Sequence, residues 1–407
     1  MIRMIFDIAV VGAGPSGLIF VKKLLGNGLN IIMFEEHSEI GVPNHCTGIV
    51  SIRGINSLRI DGLDKSIENR FRGAIIYPPN CETKLYVWRK EWQAYLINRP
   101  TFDKIIYQNI ADEVNIRFKE SVREIFREKG LWKIKTNRDI YYSKILVDDE
   151  GARYNIVRKL GLKPPGYRNI LPAIQFEMSN VRDIDEDFVE IFFGEKWAPG
   201  FFGWIAPKDE NKARVGLAVY RNFSPRKFLE KMVKHHPIAS KKLSHAKIDK
   251  ILGGIVVVNG PLKKTYGNHF LLIGDAGGFT KPTTGGGVVI GGKISEIAGE
   301  VVLKGVKEND FSEKMFREFE YRWRKRYGKN FIMMKLLRKI IYRLSDKSID
   351  KLFLKLKESE GEELITKYGD IDEQKKLIYR SILYPKISIY ALYLEMKSIF
   401  ERPSKMF

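Results

Sequence analysis

Gly12, Gly14 and Gly17 stand in Gly-x-Gly-x-x-Gly spacing, directly after the apolar run Ile8–Val11 and directly before an apolar-periodic stretch that stops at Gly28. The chemistry that needs this spacing is the cradling of a pyrophosphate. The first glycine permits a tight turn, the second lets the backbone approach the phosphates at a helix N-terminus, and the third lets helix and strand pack closely. A second apolar strand ends in Glu35, 23 residues after Gly12, where a carboxylate can accept hydrogen bonds from both hydroxyls of a ribose. Dinucleotide binding is therefore expected.

The choice of dinucleotide is made about 260 residues later, in HFLLIGDAGGFTKPTTGGGVVIGGKISEIAGEVV, 269–302. This is another apolar strand ending in Gly274-Asp275, then a Pro/Thr/Gly loop and a helix of small residues. A carboxylate at a strand end can bond a ribityl or phosphate-side hydroxyl, and Gly285-Gly286-Gly287 lets backbone N–H groups face an electron-rich flavin edge. NAD enzymes do not need this second segment, so FAD is the expected cofactor.

Positioning these residues takes a Rossmann-like α/β domain assembled from separated pieces. Residues 1–55, 100–165 and 265–305 are expected to form a discontinuous, GR2-type FAD-binding domain. Residues 56–99 and 166–264 alternate β-branched and aromatic residues with turn residues, as expected of an inserted antiparallel-sheet substrate domain covering the flavin. Within it, WAPGFFGWIAP (197–207) concentrates Pro199, Phe201, Phe202, Trp204 and Pro207, either as core or as the lining of an apolar tunnel. From about Asp310, apolar positions recur at three and four with Lys and Arg between them, which predicts a basic C-terminal helical domain over 306–407.

Composition excludes several classes. No stretch approaches the roughly 18 apolar residues of a membrane-spanning helix, and MIRMIFDIAVVGAG runs straight into a strand without a signal segment. The expected compartment is the cytoplasm, with peripheral attachment to the inner membrane face left open. Two cysteines, Cys46 and Cys81, are too few for a disulfide framework, an iron–sulfur cluster or a four-cysteine zinc site, and the histidines lack metal spacing. No metal is expected. The net charge of +21 suggests acidic partners or a thermophile-like Lys-, Ile- and Glu-rich composition. Tyr321–Ser345 carries nine Lys/Arg and no Asp or Glu, as either a solvated cap or a helix lying on an anionic membrane would. No nucleic-acid-binding module is recognisable, so nucleic acid is not an expected partner.

The Gly12–Glu35 start, RPTFDKII (99–106), VDDEGARYNIVRKLG (147–161) and GDAGGFTKPTTGGG (274–287) resemble the FAD fingerprints of the para-hydroxybenzoate-hydroxylase-like flavoproteins. Within that group, LPAIQFEM (171–178), WAPGFFGWIAP, ARVGLAVY (213–220) and the cysteine of NHCTGIVS (44–51) resemble the geranylgeranyl reductase family of archaea, bacteria and plants, over about residues 5–330. The resemblance implies cofactor-binding positions at Ser16, Glu35, Cys46, Thr47, Arg99, Val122, Asp275, Gly287 and Val288. These join Gly12, Gly14, Gly17 and Gly286 of the glycine motifs, and Val122 is placed on the strand whose backbone meets the adenine. It also implies a substrate wall of Pro199, Phe201, Phe202, Trp204 and Pro207, and a catalytic group of Cys46, Phe202 and Trp204.

Three motifs depart from the family. Its Pro-x-x-Tyr-x-Trp-x-Phe-Pro carries Phe202 for Tyr and Ala206 for the late Phe, its Asp-Gly is Glu150-Gly151, and its Gly-x-Gly is Gly216-Leu-Ala218.

The implied activity is saturation of C=C bonds in geranylgeranyl or other polyprenyl chains, as in archaeal-type membrane ether lipids, by hydride from reduced flavin. Cys46 is expected to position flavin and alkene, with the proton donor open among Cys46, His45 and ordered water. Electrons would come from NADPH or an acidic ferredoxin. The alternative on the same fold is a monooxygenase or halogenase, since FGWIAP echoes the Trp-x-Trp-x-Ile-Pro of halogenases.

Overall fold

Ile5–Val11 is apolar at every position but one, and the computed structural model makes it an inner strand of an eight-stranded sheet. The structure describes residues 5–382 and Tyr393; residues 1–4, and the parts of the expected helical region at 383–392 and 394–407, lie outside the described residues. The sheet runs in the order Tyr266–Gly267, Phe270–Leu272, Ile140–Asp148, Ile5–Val11, Ile31–Glu35, Asn115–Phe118. From Phe270–Leu272 onward its neighbours are parallel. A hairpin, Val122–Glu128 with Leu131–Thr136, adds antiparallel to Ile140–Asp148.

The continuous apolar character of Ile5–Val11 follows from burial on both faces. Ile8 and Val10 pack under the helices Pro15–Lys22 and Val288–Glu308, whereas Ala9 and Val11 pack toward Ile125, Trp132 and Tyr154 on the hairpin side.

A seven-stranded sheet lies over this layer, in the order Lys247–Val257, Ile170–Ser179, Lys212–Ala218, Gly203–Pro207, Phe188–Phe192, Gly73–Tyr77, Leu85–Trp88. All its pairs are antiparallel except Phe188–Phe192 with Gly73–Tyr77. One face is covered by helix Pro225–His235 through Leu229, Met232 and Val233. A three-stranded sheet, Ile49–Ser51, Ala94–Ile97 and Ile67–Phe71, bridges the two larger ones.

The basic segment is helical, and its apolar stripe turns inward. Phe316, Phe319, Trp323, Phe331 and Met334, from Glu313–Trp323 and Lys329–Ile341, join the same core as the parallel sheet. Asp346–Glu358 and Gly361–Tyr368 follow and pack against Leu85 and Ile76 of the second sheet. The whole is the α/β class expected: a Rossmann-like parallel sheet, an antiparallel-rich second sheet and C-terminal helices. Among the described residues no helix is long and apolar enough to cross a membrane.

Candidate active site

The ends of the parallel strands and the inner face of the second sheet enclose one cavity of about 1250 Å³. That exceeds the roughly 300–1,000 Å³ usual for one small ligand, so a dinucleotide and a second ligand can share it.

At one end sits the glycine turn. Gly12 has φ +97°, and a Cβ there would stand 2.2 Å from the Asp149 carbonyl oxygen. Gly14 caps helix Pro15–Lys22 and carries no capping side chain, so apart from the Gly17 N–H the first turn is left open for an anion. Gly12, Gly14 and Ser16 line the cavity, while Gly17 lies behind it and donates its N–H to Asp149 Oδ2 at 2.7 Å. Glu35 lines the wall at the tip of its strand, accepting the Ala13 N–H at 3.1 Å and the His37 N–H at 2.9 Å. Val122 lines the same region from the start of the hairpin.

The second glycine run faces the first. Gly287 caps the 21-residue helix Val288–Glu308, again without a side-chain cap, and Gly285, Gly286, Gly287 and Val288 all line the cavity. Cβ atoms at Gly286 and Gly287 would stand 2.9 Å from Lys281 Cε and 3.0 Å from Asp275 Oδ1, so a side chain at either would have to displace Lys281 or Asp275. The Asp275 carboxylate opens into the cavity, and no protein donor among the described residues is bonded to it. Burial pushes its carboxyl up to about 6, with Arg99 opposing. An uncapped helix end at each glycine run and an unpartnered carboxylate between strand and helix fit a pyrophosphate, a flavin edge and a polyol hydroxyl, which are the groups FAD presents.

The raised Asp275 value has a measurable consequence. Between the ordinary carboxylate value of about 4 and about 6, the folded chain keeps a proton that the unfolded chain has released. Stability therefore falls as pH rises through that window and stays lower above it. Asp275→Asn is expected to stabilise the flavin-free chain at pH 7.5 by about 1–3 kcal/mol, to flatten the pH 4–6 slope, and to weaken FAD retention. Melting curves of the deflavinated protein at pH 4.5 and 7.5 check this, and an unchanged slope would contradict it.

Cys46 lies on a loop pinned to the second sheet. His45 Nδ1 bonds the Gly253 carbonyl, Thr47 Oγ1 donates to Gln175 Oε1 at 2.7 Å, and Arg214 Nη1 donates to the Thr47 carbonyl at 2.6 Å. Cys46 Sγ accepts the Gly48 N–H at 3.3 Å. Arg99, at the start of helix Arg99–Gln108, is largely sequestered beside Asp103 at 3.0 Å. Burial works against its charge, but Asp103 and then the Cys46 side chain hold its pKa above the usual value. The structure thus brings Cys46, Thr47 and Arg99 to one wall, with Arg99 already paired.

Phe201, Phe202 and Trp204 form the aromatic wall, with Phe201 stacked on Phe202 at 4.1 Å between centroids. Trp204 lies over Gly216, where a Cβ would meet its ring at 2.5 Å; its buried Nε1 has no hydrogen-bond partner. Pro199 and Pro207, placed on the wall by the family resemblance, do not line the cavity. In strand Gly203–Pro207 side chains alternate, so Pro207 shares the outward parity of Ile205 rather than that of Trp204. The Pro199 carbonyl is taken by the Tyr220 N–H at 2.9 Å.

To other wall residues the sequence motifs assign no site role. Asp149, which joins the two ends of the glycine turn, is buried, and burial pushes its carboxyl well above the usual range while the Gly17 N–H opposes. Glu150 caps helix Asn155–Lys159, accepting the Asn155, Ile156 and Val157 N–H groups, so glutamate for aspartate in the Asp-Gly motif has a structural use here. The remaining wall comes from the C-terminal helices, through Ile341, Leu352, Phe353, Leu356, Ile365 and their neighbours. They are anchored by a buried ion pair, Lys281 with Asp372 at 2.8 Å. Burial works to raise the Asp372 pKa, yet Lys281 and Ser51 hold it below the ordinary value. The three-and-four apolar spacing of 337–356 was the available signal, and it reads equally well as an ordinary helical core.

A model of the geranylgeranyl reductase catalytic domain matches residues 169–256. An uncharacterized protein of Methanocaldococcus jannaschii is 32% identical over 93% of this chain and 95% of its own length. The digeranylgeranylglycerophospholipid reductase of the same organism is 30% identical over 87% of this chain and 91% of its own. Among solved structures, a geranylgeranyl bacteriochlorophyll reductase-like protein from Thermoplasma acidophilum superposes with TM-score 0.84 at 25% identity, covering 96% of this chain and all of that one. A flavin-dependent brominase, Bmp2, superposes with TM-score 0.72 at 15% identity over 98% of this chain and all of its own, a likeness of fold alone.

Proposed function

The chain belongs to the geranylgeranyl reductase family of FAD-dependent oxidoreductases, and from that premise we propose that it saturates the C=C bonds of geranylgeranyl or related polyprenyl chains in archaeal-type membrane lipids. The observation that carries this reading is a single cavity joining two glycine-capped helix ends to an aromatic and aliphatic wall, with the Cys46 loop pinned to the second sheet beside it.

In this reading segments 1–55, 100–165 and 265–305 hold FAD, through the glycine turn, Ser16, Glu35, Thr47, Arg99, Val122, Asp275 and the Gly286-Gly287-Val288 helix start. Bound FAD, once reduced, supplies a hydride to one alkene carbon. The chain's own residues do the rest. Phe201, Phe202, Trp204 and the C-terminal helices bury the prenyl chain, each methylene contributing on the order of 0.8 kcal/mol, and keep water from the reacting bond. Cys46 holds the alkene in register, with the Gly48 N–H and Arg99 placing its side chain, and the second carbon takes its proton from Cys46, His45 or ordered water.

Electrons enter from NADPH or from an acidic ferredoxin drawn to the net charge of +21. Helix Lys329–Ile341 exposes Ile332 and Leu336 beside Lys325, Lys329 and Lys339, a surface suited to an anionic bilayer that delivers the lipid.

The test is anaerobic incubation of the dithionite-reduced protein with geranylgeranyl lipids, read by mass spectrometry. Products heavier by two mass units per bond are expected. Cys46→Ser is expected to retain FAD and lose about 100-fold or more in turnover. Full turnover in that variant would remove Cys46 from the mechanism, and oxygen-dependent NADPH consumption without alkene reduction would favour a monooxygenase.

A further inference from the structure

Arg338, on helix Lys329–Ile341, is 8% exposed and lines the cavity beside Leu337, Ile341 and Tyr342. Its Nη2 donates to the Gly200 carbonyl at 2.9 Å, and the guanidinium stands 4.3 Å from the Tyr342 ring centroid and 5.8 Å from that of Phe201. Nη1 is buried with no hydrogen-bond partner. Among the described residues no carboxylate comes within the 4.0 Å of an ion pair with it, in contrast to the other cations sequestered on or behind this cavity. Arg214 meets Glu68 and Glu177, Lys281 meets Asp372, and Arg99 meets Asp103.

An arginine does not escape burial by losing its proton. Its neighbours supply no charge either: burial pushes the hydroxyls of Tyr342 and Tyr220 up, so both are neutral phenols at working pH. A desolvated, unpaired guanidinium with a free N–H, set at the edge of an apolar chamber, is an incomplete site, since buried charges are otherwise paired. What completes it is an oxyanion, and the planar fork of the guanidinium matches phosphate.

We infer that Arg338 binds the phosphate headgroup of the prenyl substrate, so that the substrate class is a prenyl phosphate or phospholipid rather than a neutral prenyl chain. The inference rests on the reductase reading for the nature of the chain, and on the geometry alone for the anion.

The test is binding of saturated, unreactive ligands to the FAD-loaded protein by calorimetry: phytanyl phosphate, phytanol and inorganic phosphate, each with wild type, Arg338→Gln and Arg338→Lys. The expected result is a 10- to 100-fold loss of phytanyl phosphate affinity in Arg338→Gln, a smaller loss in Arg338→Lys, and phytanol affinity unchanged in all three. Equal loss for phytanol and phytanyl phosphate would make Arg338 a latch on Gly200 and overturn the inference, as would phytanyl phosphate binding that ignores the substitution. Inorganic phosphate binding as tightly as phytanyl phosphate would overturn the lipid assignment. None of these measurements needs turnover. Arg338-dependent phytanyl phosphate binding in a chain that reduces no prenyl lipid would count against the reductase reading and leave the headgroup site standing.

Discussion

Gly12→Ala is expected to empty the protein of flavin and to lower its stability by about 4 kcal/mol or more, the range reserved for exceptional single substitutions. The added Cβ would stand 2.2 Å from the Asp149 carbonyl oxygen, and neither side can yield. Gly12 donates its N–H to the Phe34 carbonyl at 2.9 Å and Asp149 donates to the Val11 carbonyl at 2.8 Å, so relieving the clash means pulling apart the strand ends that form the cradle. The φ of +97° adds strain of its own. Gly26→Ala is the matched control: its φ is +73°, but a Cβ there meets nothing within 4 Å, so it should cost about 1–2 kcal/mol and keep its flavin. The ratio of flavin to protein absorbance and the melting temperature of both variants decide it. A flavin-replete Gly12→Ala protein would contradict the assignment of this turn to the pyrophosphate.

Arg214→Met is expected to cost about 3–5 kcal/mol, because it removes a fully buried cation from two half-buried carboxylates and two carbonyls. In a chain of this length that reads as a fall of about 5 °C in Tm. Arg214 is 1% exposed on the second sheet, and it bonds Glu68 on the bridging sheet, Glu177 beside it, the Ile97 carbonyl at 3.0 Å and the Thr47 carbonyl at 2.6 Å. Gly48 sits so close that a Cβ would meet the Ile97 oxygen at 2.2 Å, so the Cys46 loop is pressed onto this rivet. Turnover should therefore fall further than stability explains, with kcat affected more than KM, because what loosens is the placement of Cys46. Arg214→Lys keeps the charge but not the fork, and should recover part of the stability and little of the rate. If kcat survives in Arg214→Met protein that is still folded, the loop does not depend on this anchor.

Several features of the site are readable in the amino-acid sequence, and they share a property. Gly12, Gly14, Glu35 and the Gly285–Gly287 run work through local demands: a left-handed φ, a Cβ that has no room, an acid at a strand end. Such demands leave a mark at a particular position and spacing, and the structure brings these residues to one cavity. The layers of the fold are legible for the same reason, since a strand buried on both faces such as Ile5–Val11 must be apolar throughout.

Other features are set by partners far away in sequence. Arg214 and Arg338 look like any other basic residue in ARVGLAVY or in a run of nine Lys/Arg, and burial alone distinguishes them from their solvated neighbours. Likewise, Pro207 looks like part of the aromatic wall until the strand's two-residue period turns it away. The C-terminal helices look like a separate basic cap until Lys281 and Asp372 fasten them over the cavity. The sequence by itself determined that this chain cradles a dinucleotide and which residues make the turn, because those constraints are steric and local. Tertiary structure decided which cations are buried, which of them lacks a counter-charge and what closes the tunnel, because desolvation and charge pairing depend on what the rest of the chain places opposite.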